Sequence, residues 1–217
     1  IIGYQKALYI GLSVFMLGSL LGFLVRSIEA LIIARMMMAA ASAMIVPNAS
    51  AMLRTQLPEE VLPFAYGIFG ATMGAAAAVG PLLGGALTQL FDWPAIFLLN
   101  VPWALIALGL IVTTSKKQDG NPKSKLDLRS TMLLALAIGS LQAGFLGSEI
   151  DFRFLIPGVV MLVLFILMQL RVDNPVFNPR FFKKPSYLAA GCTTSLSNFT
   201  MYAILFQLPI FFIDIRG

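Results

Sequence analysis

The sequence predicts an all-α integral membrane protein, a helical bundle of about seven transmembrane helices. Three observations carry this. Of 217 residues 59% are hydrophobic and 12% are charged, with a mean hydropathy of +0.87, whereas a soluble domain carries about 25% charged residues. Seven long apolar stretches divide the chain, each near the ~20 residues a helix needs to cross ~30 Å of hydrocarbon. Their apolarity is continuous and does not alternate with period two, which favours helices over a barrel.

Taken in order, Ala7 to Val25 is uncharged, and Ala30 to Leu53 is interrupted only by Arg35. Val61 to Phe91 is uncharged and dense in small residues, and Trp93 to Ser115 follows it, with Trp93 placed as an interfacial anchor. Ser130 to Ser148 comes next. Phe154 to Leu170 is the shortest and lengthens by snorkelling from Arg153 and Arg171. Pro185 to Ile213 completes the set.

The charges fix an orientation. With residues 1–6 in the cytoplasm, the inner segments hold 11 basic residues: Lys6, Arg54, Lys116, Lys117, Lys123, Lys125, Arg129, Arg171, Arg180, Lys183 and Lys184. The outer segments hold Arg26, Arg153 and Arg216, and Arg35 lies in the membrane, which accounts for all 15. This is the asymmetry of the positive-inside rule, so the net charge of +5 reflects topology and not a nucleic-acid partner. The absence of histidine removes the commonest general base and metal ligand, and a lone Cys192 excludes an internal disulfide framework. No metal site, cofactor or enzymatic activity is expected. From the start at Ile1 without an initiator Met, and the stop at Gly217 just after a span, the chain is expected to be part of a longer protein.

Arg35 is the most expensive residue in the chain, since a charge within a span requires a partner or a wet cavity. Two readings stand: it snorkels outward and pairs with Glu29, or it faces an interior carboxylate whose pKa it lowers. No span here supplies such an acid, so the second reading places it elsewhere in the parent protein. In the third span Ala76, Gly80 and Gly84 recur every four residues, while Gly67, Ala71, Gly74 and Ala78 line a neighbouring face. Such stripes let helix backbones approach closely, and Pro81 removes one backbone hydrogen bond. Two readings again stand, ordinary tight packing or a helix that rocks against a partner. Gln142, Asn198 and Gln207 are polar within spans and are candidates to line a path or to bond neighbouring helices.

Gly67-x8-Ala76-x3-Gly80-Pro81-x2-Gly84-Gly85 resembles the antiporter motif in the fifth helix of major facilitator drug:proton antiporters, with Ala76 standing where the family has glycine. Gly3 to Lys6 resembles the end of that family's loop between helices two and three, with Tyr4 and Gln5 departing from it. Leu31-x3-Arg35 with Met38, Ala39 and Ala41 resembles its fourth-helix motif, with Met38 and Ala39 standing where the family prefers glutamine and glycine, and Trp93, Ile96-Phe97, Asn100 and Pro102 resemble the opening of helix six, with Pro94 and Ala95 departing from it. The short connection from Lys116 to Arg129, followed by two further spans, resembles the fourteen-helix branch.

The resemblance implies a partial major facilitator-type bundle: helices three to six over 1–115, a cytoplasmic linker over 116–130, two extra linking helices over 131–171, and a loop and first helix of the C-terminal half over 172–217. It implies a multi-pass protein of the cell membrane that exports hydrophobic or cationic drugs in exchange for protons by alternating access. Arg35 would serve proton coupling, and the Gly67 to Gly85 stripe would be the close contact and hinge. The implied partners are a small-molecule substrate, protons, the lipid bilayer and the rest of the transporter, helices one, two and ten to fourteen. The alternatives are a major facilitator carrier of a siderophore, amino acid or sugar and, more distantly, a non-transporting membrane sensor or structural protein. The fragment alone is not expected to transport.

Overall fold

The computed structural model describes residues 3–114, 128–146, 150–171 and 184–216. Among these residues there are seven helices: α1 (Tyr4–Leu24), α2 (Ile28–Gln56), α3 (Leu62–Phe91), α4 (Ala95–Thr114), α5 (Leu128–Gly144), α6 (Phe152–Arg171) and α7 (Pro185–Arg216). These coincide in order with the seven apolar stretches. Over their described residues α1 to α4 and α6 are long and apolar enough to cross a membrane, so the chain is a multi-pass membrane protein. Helix α5 is 17 residues long. The chain divides into two compact units, Ile1–Lys125 and Leu126–Gly217, a division that falls within the 116–130 segment. Most of that linker, and the loop with Asn174-Pro175 and Arg180 to Phe182, lie outside the described residues.

Local chemistry sets the helix ends. Ser27 caps α2, its Oγ accepting from the Ala30 N–H at 3.3 Å, with Glu29 in the first turn and Arg54 in the last, each favourable to the helix dipole. Leu57, extended before Pro58, stops α2, and Pro63 lies in the first turn of α3, where a missing N–H costs nothing. Asp151 opens α6 by accepting from the Arg153 N–H at 2.9 Å. Pro47, Pro81, Pro102 and Pro157 all lie inside continuous helices.

In the first unit, α1 packs antiparallel against both α2 and α4. The contact with α2 runs through glycine: a Cβ at Gly11 would lie 3.3 Å from the Ala41 carbonyl oxygen, and one at Gly18 3.1 Å from that of Ala34. Ala34 and Ala41 are fully buried opposite them. Helix α3 stands apart, with no buried residue. It is tied to α2 by the Tyr66 hydroxyl, which donates to the Ser50 carbonyl oxygen at 3.2 Å. In the second unit α5 and α6 form an antiparallel pair in which Gly158 sits against Leu141 and Gly144 against Leu155. The Ser140 hydroxyl donates to the Phe154 carbonyl oxygen at 2.7 Å. Leu82 and Leu90 on α3 are 74% exposed, as expected of surface that meets hydrocarbon rather than water.

Candidate functional site

The richest chemistry of the first unit lies at the end that carries the α1–α2 and α3–α4 corners. Phe97, 3% exposed, is its hub. The Ser19 hydroxyl on α1, fully buried, donates to the Phe97 carbonyl oxygen at 2.7 Å, and Asn100 Nδ2 donates to Ser19 Oγ at 3.0 Å. Trp93 meets the Phe97 ring edge-on at a centroid distance of 6.3 Å. Gly22 of α1 leaves room for that ring, since a Cβ there would lie 2.6 Å from it.

Arg35 reaches this hub from α2. Its guanidinium carbon lies 4.9 Å from the centroid of the Phe97 ring, within cation–π range. Among the described residues no carboxylate pairs with Arg35: the ion pair they contain is Arg26–Asp92. The guanidinium therefore goes to an aromatic face and not to Glu29. A ring face offers partial compensation, worth about 0.5–1 kcal/mol at an exposed site and about 2 or more when desolvated.

Asp92 closes the corner end. Arg26 Nη1 donates to Asp92 Oδ2 at 2.7 Å and the Trp93 N–H donates to Asp92 Oδ1 at 2.8 Å. The Arg26 hydrogen bond, then that of Trp93, holds the Asp92 carboxyl below its ordinary value of 3.8. Asp92 also has φ 77° and ψ 160°, a region nearly reserved for glycine. One residue thus ends α3, turns the chain into α4 and ties both to the α1–α2 corner.

The small-residue face of α3 lies open. A Cβ at Gly67, Gly70, Gly74, Gly80, Gly84 or Gly85 would meet nothing within 4 Å, and Ala76 and Pro81 are exposed. No described residue of the first unit presses on the glycines of this stripe. The tight glycine contacts within the unit are instead at Gly11, Gly18 and Gly22 of α1, which sequence reasoning passed over. The seven-residue step from Gly11 to Gly18, matched by that from Ala34 to Ala41, was the available signal. Gln142, Asn198 and Gln207 are not brought together: Gln142 is exposed on α5, the other two are exposed on α7, and within the second unit α7 packs against neither α5 nor α6. Among the described residues no cluster of metal-ligating side chains occurs.

Residues 1–133 match the family model of the Major Facilitator Superfamily. The chain is 32% identical over 212 residues to the uncharacterised MFS-type transporter YvkA of Bacillus subtilis, covering 95% of this chain and 48% of that protein. It is 33% identical over 189 residues to the methyl viologen resistance protein SmvA of Salmonella typhimurium, covering 83% and 38%. With the tetracenomycin C resistance and export protein of Streptomyces glaucescens it shares 29% over 224 residues, covering 99% and 41%. The chain spans less than half the length of each of these relatives.

Proposed function

Because the chain belongs to the Major Facilitator Superfamily, we propose that its parent protein exports hydrophobic, often cationic compounds across the cell membrane in exchange for protons. It works as an alternating-access antiporter of the fourteen-helix drug-export branch, of which this chain supplies helices three to nine. The reading is supported by the kinship to proteins named for methyl viologen resistance and for tetracenomycin C resistance and export. The observation that carries it is the open stripe from Gly67 to Gly85 on a helix that buries none of its residues in its own unit. A helix shaved to glycine and alanine on an unfilled face is built to receive another helix backbone at close range. Rocking of two helical halves about such a contact is how this class of carrier exposes one site to each side of the membrane in turn.

Arg35 acts electrostatically. Proton binding at a buried acid must change the relative energy of the inward- and outward-open states if a gradient is to drive transport. A cation held at the Phe97 ring, free of any carboxylate within the described residues, is placed to lower the pKa of an acid that approaches in one of those states.

The test is efflux of a fluorescent lipophilic cation from cells expressing the full-length protein with Arg35→Ala or Gly80→Leu. A side chain at Gly80 meets nothing within its unit, so Gly80→Leu leaves the packing of α1 to α4 intact and acts only on what approaches from outside. Both variants should reach the membrane at normal levels and lose proton-driven efflux. Unchanged efflux in both rejects the assignment.

A further inference from the structure

Two arginines near the α1–α2 corner are partnered in opposite ways. Arg26, with its side chain 67% exposed, takes a carboxylate, its Nη1 lying 2.7 Å from Asp92 Oδ2. Arg35 lies deeper along α2, about 12 Å from Ser27 at ~1.5 Å per residue, and takes a ring instead. Among the described residues no hydrogen-bond acceptor meets its guanidinium, whose carbon lies 4.9 Å from the Phe97 ring centroid.

The choice of partner decides what Arg35 can still do. A carboxylate fixed against it would cancel its charge, and breaking a buried pair of that kind is costly. A ring attracts the cation through its quadrupole, carries no net charge and uses none of the guanidinium's five donors. Arg35 is thereby held in place with its charge whole and its fork unspent. The ring is itself held. Gly22 stands where any side chain would strike it, and Trp93 closes on it edge-on at 6.3 Å. The buried Ser19 hydroxyl bonds the Phe97 carbonyl oxygen at 2.7 Å, and Asn100 Nδ2 bonds that hydroxyl at 3.0 Å. These contacts leave Phe97 3% exposed.

We propose that Phe97 is a positioning residue for proton-driven export: the electron-rich face of its ring, and not its bulk, holds Arg35 charged and unpaired where the proton-carrying acid of the parent protein meets it. The assignment deepens the function proposed above and rests on it for the existence of that acid. A long, rotamer-rich side chain without this seat spreads over many conformations, and ordering it again at each encounter has an entropic cost. The proton-coupled step then slows. Binding of the cargo does not change, because the ring acts through Arg35 and touches no cargo.

The experiment places phenylalanines with one, two and three ring fluorines at position 97 of the full-length protein by nonsense suppression. Each fluorine draws electron density from the ring face and barely alters its size, so packing is kept while the attraction for a cation fades. The maximal rate of proton-driven efflux of a fluorescent lipophilic cation should fall step by step, by about tenfold over the series, a loss within the range of a cation–π contact. Its KM should stay constant. The melting temperature of the purified protein should fall in the same order, and should stay level when the series is repeated with Arg35→Gln. A flat efflux series overturns the inference. So does a rising KM at constant rate, which would put the ring against cargo, or an equal melting loss with Arg35→Gln, which would make the ring a packing element only. Efflux by the unmodified protein separates the two proposals. Its absence refutes the export reading while the melting series still reports whether the ring holds Arg35, and efflux with a flat series refutes this one alone.

Discussion

Gly22 offers the sharpest test of the packing around Phe97. An alanine Cβ at that position would lie 2.6, 2.8 and 2.9 Å from three carbons of the Phe97 ring. Ordinary contact begins at about 3.4 Å, so the ring must retreat by 0.8 Å at its nearest atom. It has little room to do so, being 3% exposed, met edge-on by Trp93 and carrying Arg35 on its face. Overpacking of a filled site costs about 1–3 kcal/mol, and displacing the ring from Arg35 forfeits up to about 1 kcal/mol of cation–π attraction. Gly22→Ala should therefore destabilise the full-length protein by about 2 kcal/mol in a denaturant titration in detergent, within that overpacking range. Phe97→Leu, which vacates the space, should recover much of this when combined with Gly22→Ala. Strict additivity of the two substitutions, or an unchanged stability of Gly22→Ala alone, would refute the reasoning, because residues in contact must couple.

Gly158→Ala in α6 should cost about 1–3 kcal/mol by the same measurement, since its Cβ would lie 2.9 Å from the Leu141 backbone nitrogen, whereas Gly139→Ala, with nothing within 4 Å, should be silent. Ser19→Ala should cost about 1 kcal/mol, the typical worth of a membrane hydrogen bond or slightly more, by stranding Asn100 Nδ2. Asp92→Gly should melt at a higher temperature than Asp92→Ala: both lose the Arg26 pair, but only glycine relieves the backbone at φ 77°. The depressed Asp92 carboxyl fixes a sign as well. Its pairing contributes fully above the ordinary value of 3.8 and is lost as pH falls through the lowered one, so the stability gap between wild type and Asp92→Asn should hold down to pH 3.8 and close below it.

The helices were legible because the bilayer imposes length and apolarity on each, and the four stretches of the first unit became α1 to α4 within a few residues of their expected bounds. The stripe on α3 was legible as a run of small residues, but its partner was not, because a stripe states closeness and not identity. What the sequence could not convey was pairing across distance. Arg26 and Asp92 are 66 residues apart, Ser19 and Phe97 are 78 apart, and each pair forms only once helix ends are brought to one corner. The turn of Asp92 into a positive φ is likewise a tertiary result, since aspartate rarely takes that conformation unaided. Arg35 shows the limit most clearly: its neighbour Glu29 suggested itself by proximity in sequence, while the fold set the guanidinium over an aromatic ring of α4.

In the proposed export cycle a proton gradient and a lipophilic cation are coupled through Arg35. The decisive measurement reconstitutes the full-length protein in liposomes with an imposed pH gradient and follows internal pH when the cation is added. Wild-type protein should collapse the gradient in a cation-dependent manner, and Arg35→Ala should leave it standing while still binding the cation. Cation movement that proceeds equally without a gradient, or an Arg35→Ala protein that still dissipates it, would contradict the claim.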